Sequence, residues 1–143
     1  MALTIQEINF QECVKYWKEV NHFNDPNKIY NENVKKLGPF KQTIENPKFK
    51  CYGLFDDYLI GVTQLIEWDI STIRFRTINI RKEWRQKELG AFLLQEAYEK
   101  DWSNYLKMFG WMNLKKIDWA LKFGFKIIEN SEHDNHVGII KEM

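Results

Sequence analysis

Short stretches of alternating apolar and polar residues run through most of the chain, and this period of two predicts β-strands. The strands expected on this basis are residues 3–8, 50–55, 58–68, 71–80, 105–112, 125–129 and 136–140. The second and third of these strands flank Asp56 and Asp57, which are residues that favour turns. We therefore expect this pair of strands to form a hairpin.

Segments with apolar residues at helical spacing lie between these strands and predict four helices. The first helix carries Cys13 and Trp17 on its apolar side and ends before the turn-rich residues 21–27. The second helix is expected near residues 32–46, where a glycine and a proline at residues 38–39 interrupt it. The other two helices each follow a strand in the second half of the chain.

The third helix begins after the polar turn at residues 81–88 and presents three apolar residues on one side: Leu89, Leu93 and Ala97. The fourth helix is predicted to begin at Asn113, a favourable N-cap residue, and to end at Gly124 in the C′ position. Its buried stripe is expected to consist of Leu114, Ile117 and Leu121.

The resulting order of elements is β-α-α-β-β-β-α-β-α-β-β, with one strand–turn–helix–strand unit among hairpins. Such a unit produces a parallel strand pair, whereas hairpins produce antiparallel pairs. The pattern therefore predicts an α+β fold. It is a single domain over residues 1–143, with a mixed, mostly antiparallel sheet and flanking helices.

Composition narrows the classes of function. The chain has 143 residues, with 21 basic and 20 acidic side chains and a formal net charge of +1. This balance argues against a dedicated nucleic-acid-binding protein, which carries a strongly basic surface. All the arginines nevertheless fall within residues 74–85. Such clustering indicates a planar contact with an anion, or else chance placement on one strand.

The cysteines and the hydropathy pattern indicate a cytoplasmic protein. Cys13 and Cys51 show no metal-ligand or redox spacing, so we expect buried free thiols in a reducing compartment. The first residues do not resemble a signal peptide, and no run of about 18 apolar residues predicts a membrane span. His133 and His136 lack a third ligand nearby, so no metal site is predicted.

The turn before the third helix is a candidate anion site. The first N–H groups of a helix have no intrahelical partner, and the helix dipole favours negative charge beside them. Gly90 and Ala91 have no large side chains, so an anion can approach the backbone at this helix start closely. Arg85 and Lys87 add positive charge. Any helix start offers such amides, so this feature alone does not identify a ligand.

Two motifs add specificity. Residues 80–91 (IRKEWRQKELGA) resemble motif A of the GNAT family of acetyl-CoA-dependent N-acetyltransferases, in which Arg/Gln-x-x-Gly-x-Gly/Ala follows a strand and opens a helix. Residues 113–125 (NLKKIDWALKFGF) resemble motif B, and residues 57–61 resemble the family's hairpin before motif A. The resemblance covers approximately residues 50–127 and implies a GNAT-like acyltransferase domain.

The resemblance implies a binding site for acetyl-CoA. The cofactor-binding residues that it implies are Ile78, Ile80, Arg85, Gln86, Lys87, Glu88, Leu89, Gly90, Ala91 and Asn113. The pyrophosphate would lie on the amides of residues 86–91, with Arg81 and Arg85 facing it, and the pantetheine arm would lie along Ile78 and Ile80. In the implied reaction a neutral amine attacks the thioester directly in a ternary complex, and the backbone amide of Ile80 stabilises the oxyanion.

Three positions depart from the family pattern. Glu88 replaces the first motif glycine, so its carboxylate must either point away from the pyrophosphate or weaken its binding by about 1 kcal/mol through like-charge repulsion. We expect its backbone to adopt an ordinary conformation. The tyrosine that often protonates the leaving thiolate corresponds to Ala120, so the acid is absent, is supplied by water, or is another side chain, for which Tyr98 and Tyr105 are candidates by proximity in sequence. A base glutamate of some branches corresponds to Arg74, and a guanidinium cannot accept a proton at neutral pH.

Glu67 and Glu83 are therefore the candidate bases, together with Asp69. Arg74 and Arg76 share one strand face and are candidates for binding an acidic acceptor through bidentate contacts. The alternative for these arginines is a solvated sheet edge or pairing with nearby carboxylates.

The expected function is transfer of an acetyl group from acetyl-CoA to an amine of a small molecule or peptide. The alternative is a catalytically impaired GNAT-fold module that binds acyl-CoA or a partner protein. A third candidate is an unrelated α+β interaction domain. The expected partner is the amine acceptor, with neither nucleic acid nor membrane, and homodimer formation is left open.

Overall fold

The computed structural model describes residues 3–21, 43–85, 88–132 and 135–143, and these contain seven strands and three α-helices. In chain order they are β1 (Thr4–Ile8), α1 (Phe10–Asn21), β2 (Phe49–Phe55), β3 (Leu59–Glu67), β4 (Thr72–Ile80), α2 (Leu89–Asp101), β5 (Lys107–Asn113), α3 (Ile117–Lys122), β6 (Lys126–Ile127) and β7 (His136–Glu142). Single 3₁₀ turns at Lys82–Trp84 and Leu114–Lys116 lead into α2 and α3.

The seven strands form one sheet in the order β1-β2-β3-β4-β5-β7-β6. Five of the six neighbouring pairs are antiparallel, and the β4–β5 pair is parallel. The parallel pair arises because α2 carries the chain back along the sheet between β4 and β5. The predicted α+β class with a mixed, mostly antiparallel sheet is confirmed.

Two helix predictions have a different outcome. Most of the helix expected near residues 32–46 lies outside the described residues, and residues 43–46 are not helical. In the last helix the predicted buried stripe is wrong, because Leu114 and Leu121 are 37% and 46% exposed whereas Ala120 is fully buried. The reason is that α3 begins only at Ile117, after a 3₁₀ turn whose shorter repeat changes the side that meets the sheet.

Helices cover both faces of the sheet. On one face, Leu93 of α2 and Ala120 of α3 belong to the larger core, together with Tyr52 of β2. On the other face, Cys13 of α1 packs in a second cluster with Cys51 of β2. Because successive strand residues point to opposite faces, the neighbours Cys51 and Tyr52 belong to different clusters.

Both cysteines are buried free thiols, as expected. In the described part of the chain, no helix is long and apolar enough to cross a membrane.

Tyr16 fixes α1 against the end of β4. Its hydroxyl donates to Asn79 Oδ1 at 2.7 Å and lies 3.4 Å from the carbonyl oxygen of Ile60. Burial raises the pKa of Tyr16, so the hydroxyl stays protonated and able to donate. This contact places α1 on the sheet beside the end of β4 that forms the candidate site.

Candidate active site

The candidate site lies where the parallel strands β4 and β5 separate. Within these two strands the ladder has three residue pairs, and the last joins Arg74 to Phe109. Farther along β4, the register on β3 shifts so that Thr77 is an extra residue, and its backbone is left-handed with φ of 56°. Such a bulge bends its strand. The bend carries the end of β4 away from β5 and opens a cleft.

The bulge at Thr77 is held by a side chain of the neighbouring strand. A left-handed backbone is unfavourable for a β-branched residue, so the surrounding structure must stabilise it. Thr63 Oγ1 donates a hydrogen bond to the carbonyl oxygen of Thr77 at 2.9 Å. β3 therefore supports the strand conformation that creates the cleft.

Main-chain groups of β4 face this cleft. The Arg81 N–H donates to the Ile60 carbonyl oxygen at 2.8 Å, on the β3 side of the strand. Because main-chain groups alternate in direction along a strand, those of Ile78 and Ile80 point away from β3 and into the cleft. The Ile80 carbonyl oxygen accepts a hydrogen bond from Arg85 Nε at 2.8 Å. The N–H groups of Ile78 and Ile80 have no partner in the β4–β5 ladder.

The first turn of α2 provides further main-chain donors. Its first intrahelical bond runs from the Phe92 N–H to the Glu88 carbonyl oxygen at 3.2 Å. The N–H groups of Leu89, Gly90 and Ala91 therefore have no partner within the helix. No side chain caps this helix end in the described structure, and the helix dipole adds partial positive charge there. These properties suit an anion.

Gly90 lets α2 approach the cleft closely. A Cβ atom at this position would lie 3.2 Å from Ile78 Cγ2 and 3.5 Å from Trp119 Cζ2. The glycine thus allows the helix start to contact both the strand that lines the cleft and α3. Its amide can then lie next to the main chain of β4.

A cavity of about 380 Å³ joins the cleft to the start of α2. The residues that line it are Ile78, Asn79, Ile80, Trp84, Arg85, Glu88, Leu89, Gly90, Met112, Lys116, Trp119, Lys122 and Phe123. Three of the lining residues, Arg85, Lys116 and Lys122, carry positive charge, and Glu88 supplies the one carboxylate among them.

Most of the cofactor-binding residues predicted from the sequence therefore surround one cavity. Ala91 lines a neighbouring cavity of about 570 Å³, which Glu88 also lines. Gln86 and Lys87 lie outside the described residues.

Glu88 differs from the sequence prediction in its backbone. Its φ of 59° and ψ of 21° are left-handed, so the expectation of an ordinary conformation is wrong. Glycine is the residue best suited to a left-handed backbone, so position 88 has the conformation that a motif glycine would adopt easily. The Glu88 carboxylate forms an ion pair with Lys122 Nζ at 2.5 Å.

Asn113 and Arg81 do not line the cavity, and their side chains contact other parts of the protein. Asn113 Oδ1 accepts a hydrogen bond from the Lys115 N–H at 2.9 Å, so Asn113 caps the 3₁₀ turn at Leu114–Lys116 and not α3, whose N-cap position is Lys116. A contact between Asn113 and a cofactor stays a prediction. Arg81 donates to the Leu59 carbonyl oxygen at 2.6 Å and pairs with Glu19 of α1 at 3.0 Å. The expectation that Arg81 faces the pyrophosphate is wrong, because α1 supplies its carboxylate partner.

Arg74 and Arg76 lie on the face of β4 that α1 covers. Arg76 is paired with Gln64, whose side-chain amide contacts Cys13 of α1, and alternate residues of a strand share a face. Arg74 is only 5% exposed, and its guanidinium carbon lies 5.3 Å from the centre of the Trp68 ring. Burial, with a smaller effect of Arg76, lowers the pKa of Arg74 to about 9, so it remains charged at neutral pH.

Glu67 and the candidate tyrosines lie at the other end of the sheet. Glu67 is paired with Ile73, which is seven residues before Ile80 along β4, or roughly 20 Å. The Glu67 carboxylate accepts a hydrogen bond from the Tyr105 hydroxyl, and Tyr98 donates to the Tyr105 carbonyl oxygen at 2.7 Å. Burial, followed by Glu67, raises the pKa of Tyr105 to about 12. All three side chains are out of reach of an amine beside Ile80.

Glu83 is the candidate base that lies near the cleft. It is exposed on the 3₁₀ turn that follows β4 directly. Ala120, at the position of the family's acid tyrosine, is fully buried and has no proton to give. Among the described residues, no group of three or more potential metal ligands converges, and His133 lies outside them.

No family model matches the sequence, and no curated protein matches it. Solved structures do resemble the fold. An IAA acetyltransferase from Bacillus cereus has a TM-score of 0.69 and 16% identity, covering 99% of this chain and 100% of that one. A GNAT family acetyltransferase from Elizabethkingia anophelis with acetyl-CoA bound has a TM-score of 0.68 and 14% identity, covering 99% and 98%.

The PaiA N-acetyltransferase from Thermoplasma acidophilum, in complex with coenzyme A, has a TM-score of 0.68 and 17% identity, covering 100% of both chains. Identities at this level establish a shared fold and leave the chemistry to the residues of this chain. All three neighbours match this chain over nearly its full length. The chain is a GNAT-fold protein.

Proposed function

We propose that this protein is an acetyl-CoA-dependent N-acetyltransferase acting on the amine of a small molecule. The observation that carries the proposal is one cavity where two sets of main-chain groups meet: the first amides of α2, which have no partner within the helix, and the inward-facing groups of β4. Two of the similar structures hold acetyl-CoA or coenzyme A, and one of those proteins is an N-acetyltransferase.

The residues around the cavity fit coenzyme A. The amides of Leu89, Gly90 and Ala91 would bind pyrophosphate oxygens, and the missing Cβ of Gly90 lets this helix start lie close to Ile78 and Trp119 at the cavity. The charges of Arg85 and Lys116 favour the same anion. When bound, acetyl-CoA supplies an acetyl group activated as a thioester.

Residues of the chain would stabilise the negative charge on the acyl oxygen and accept the proton of the amine. We propose that the Ile80 N–H, which is directed into the cleft, donates to an acyl oxygen as this oxygen gains negative charge, and one such donor contributes about 3 kcal/mol to catalysis. Glu83 is the proposed acceptor of the amine proton. Because Ala120 cannot donate a proton, we propose that water protonates the leaving thiolate.

Arg74 and Arg76 are proposed to orient the acceptor. They lie on the opposite face of β4 from the cavity, so acceptor and cofactor would approach the cleft from different sides of the sheet. Two guanidinium groups on one face suit a carboxylate. Because Arg74 lies six residues before Ile80 along β4, that carboxylate would be separated from the reacting amine by a long part of the acceptor. The proposed acceptor is therefore an amine that also carries an acidic group.

Acetyl-CoA binding is the first test of this function. Acetyl-CoA at one hundred times its Kd should stabilise the fold by about 2.7 kcal/mol, which is measured as a rise in Tm. Free thiol should then be released with members of a panel of primary amines and amino acids. A folded protein whose Tm does not respond to millimolar acetyl-CoA would rule the function out.

The buried Ala120 favours a second candidate, a GNAT-fold module that binds acyl-CoA without catalysis. The same experiment separates the two candidates. A Tm increase with acetyl-CoA but no thiol release with any amine of the panel would support the binding module.

Removing the guanidinium of Arg74 tests the acidic acceptor. Arg74→Met keeps an unbranched stem in the buried site, and we expect KM for a carboxylate-bearing acceptor to rise about tenfold because a charge-assisted contact is lost. KM for acetyl-CoA should not change. Arg81→Met is the matched control, because it also removes a guanidinium but from an arginine that pairs with α1. It should leave KM for the acceptor unchanged. Steady-state kinetics showing an effect only on acetyl-CoA would contradict the role of Arg74.

A further inference from the structure

A carboxylate and an ammonium group meet at the edge of the cavity of about 380 Å³, which is the cofactor cavity under the proposed function. Glu88 Oε1 lies 2.5 Å from Lys122 Nζ, and both residues line the cavity. The pair connects the N-cap position of α2 with the last residue of α3. The two side chains are 60% and 63% exposed, so both can change partner without leaving a buried group behind.

The surroundings of Glu88 attract any anion. The amides of Leu89, Gly90 and Ala91 follow it directly, and the positive end of the helix dipole lies beside it. Lys122 adds a full positive charge. A carboxylate oxygen and a phosphate oxygen make the same kind of charge-assisted hydrogen bond with these groups. The Glu88 carboxylate can therefore bind the same groups as a phosphate ligand, although Glu88 is part of the protein.

We propose that Glu88 is an internal competitor for the phosphate groups of the cofactor, and that it lowers their affinity by holding Lys122. This inference rests on the proposed function. Binding of a diphosphate would require Lys122 to exchange the Glu88 carboxylate for a phosphate oxygen, while Glu88 turns toward solvent. The affinity of the site is then set by this exchange as well as by the free amides.

A double-mutant cycle on coenzyme A binding tests the competition. Isothermal titration at low ionic strength should give a Kd about fivefold lower for Glu88→Gln, because one negative charge leaves and Lys122 is released. Lys122→Gln should raise Kd about fivefold. In the Lys122→Gln background, Glu88→Gln should lower Kd only about twofold, because there is no lysine left to release.

Two further variants serve as controls. Glu96→Gln removes the same charge from an exposed position of α2 that does not line the cofactor cavity, and it should leave Kd unchanged. Glu88→Gly also relieves the left-handed backbone, so it should raise Tm but match Glu88→Gln in affinity. An affinity gain with Gly but not with Gln would assign the effect to the backbone and overturn the competition.

Equal effects of Glu88→Gln in both backgrounds would overturn the inference, as would unchanged affinity in the single variant. If no folded variant binds coenzyme A, the proposed function fails, and titration with inorganic pyrophosphate tests the competition separately. Tighter pyrophosphate binding by Glu88→Gln than by the unaltered protein would support the competition without the acetyltransferase activity. No binding of pyrophosphate by either protein would overturn it.

Discussion

Replacing Gly90 with leucine is expected to weaken coenzyme A binding by at least about 100-fold, which removes the ligand-induced rise in Tm. A Cβ here already lies 3.2 Å from Ile78 and 3.5 Å from Trp119, so the rest of a leucine side chain must extend into the adjoining cavity. There it would cover the amides that we propose bind the phosphates. The cavity gives the side chain room, so the unliganded protein should still fold.

Graded substitutions show whether the loss comes from blocked amides. Gly90→Ala adds one methyl group and should weaken binding far less than leucine does. Gln95→Leu places the same leucine on an exposed position of α2 outside the cofactor cavity and should leave coenzyme A affinity unchanged. Circular dichroism of the unliganded Gly90→Leu protein checks the fold. If this protein is folded and binds coenzyme A normally, the start of α2 is not the cofactor site.

Replacing Gly110 with valine is expected to lower the free energy of unfolding by about 3 kcal/mol. A Cβ atom at Gly110 would lie 2.4, 2.6 and 2.7 Å from three ring atoms of Phe75, so the ring must move. Phe75 is 4% exposed and packs edge-on against Phe125 at 5.6 Å, which leaves it little space. Valine favours strands, so the cost comes from overpacking and not from strand propensity.

Urea denaturation of a compensating pair checks this assignment. Phe75→Leu removes the ring that valine would contact, so the double variant with Gly110→Val should lose clearly less stability than the sum of the single losses. Additive losses would show that the valine is destabilising for another reason. Gly110 and Phe75 directly follow the last β4–β5 pair, so this contact forms the closed end of the cleft.

Local sequence patterns were enough to predict the strands and the class of sheet. Period-two alternation and turn residues located the hairpin of β2 and β3, because both signals depend on neighbouring residues. The buried side of α3 was predicted wrongly. It depends on whether residues 114–116 form α-helical or 3₁₀ structure, and periodicity cannot distinguish these over one turn.

The position of the candidate site at the start of α2 was predicted from the motif, whereas the backbone conformation there was not. A helix start with Gly90 is visible in the sequence. The left-handed backbones of Glu88 and Thr77 contradict local preference, because surrounding contacts such as the hydrogen bond from Thr63 impose them.

Distances across the sheet were also hidden from the sequence. Glu67 was a candidate base by its position in the sequence, but the strand register pairs it with Ile73, at the end of β4 away from Ile80. Cys13 and Cys51 are far apart in sequence but close in space, because α1 packs over β2 and brings them into one cluster. Such placements depend on register and topology, which one sequence without its fold does not specify.

The two faces of β4 have a thermodynamic consequence. Under the proposed function, one strand contacts the cofactor through Ile78 and Ile80 and the acceptor through Arg74 and Arg76, with the bulge at Thr77 between them. Both ligands then act on the conformation of the same few residues. If binding of one changes the affinity for the other, linkage requires the reverse change to be equal in size. Thr77 would then mediate cooperativity between two ligands that do not share a face of the sheet.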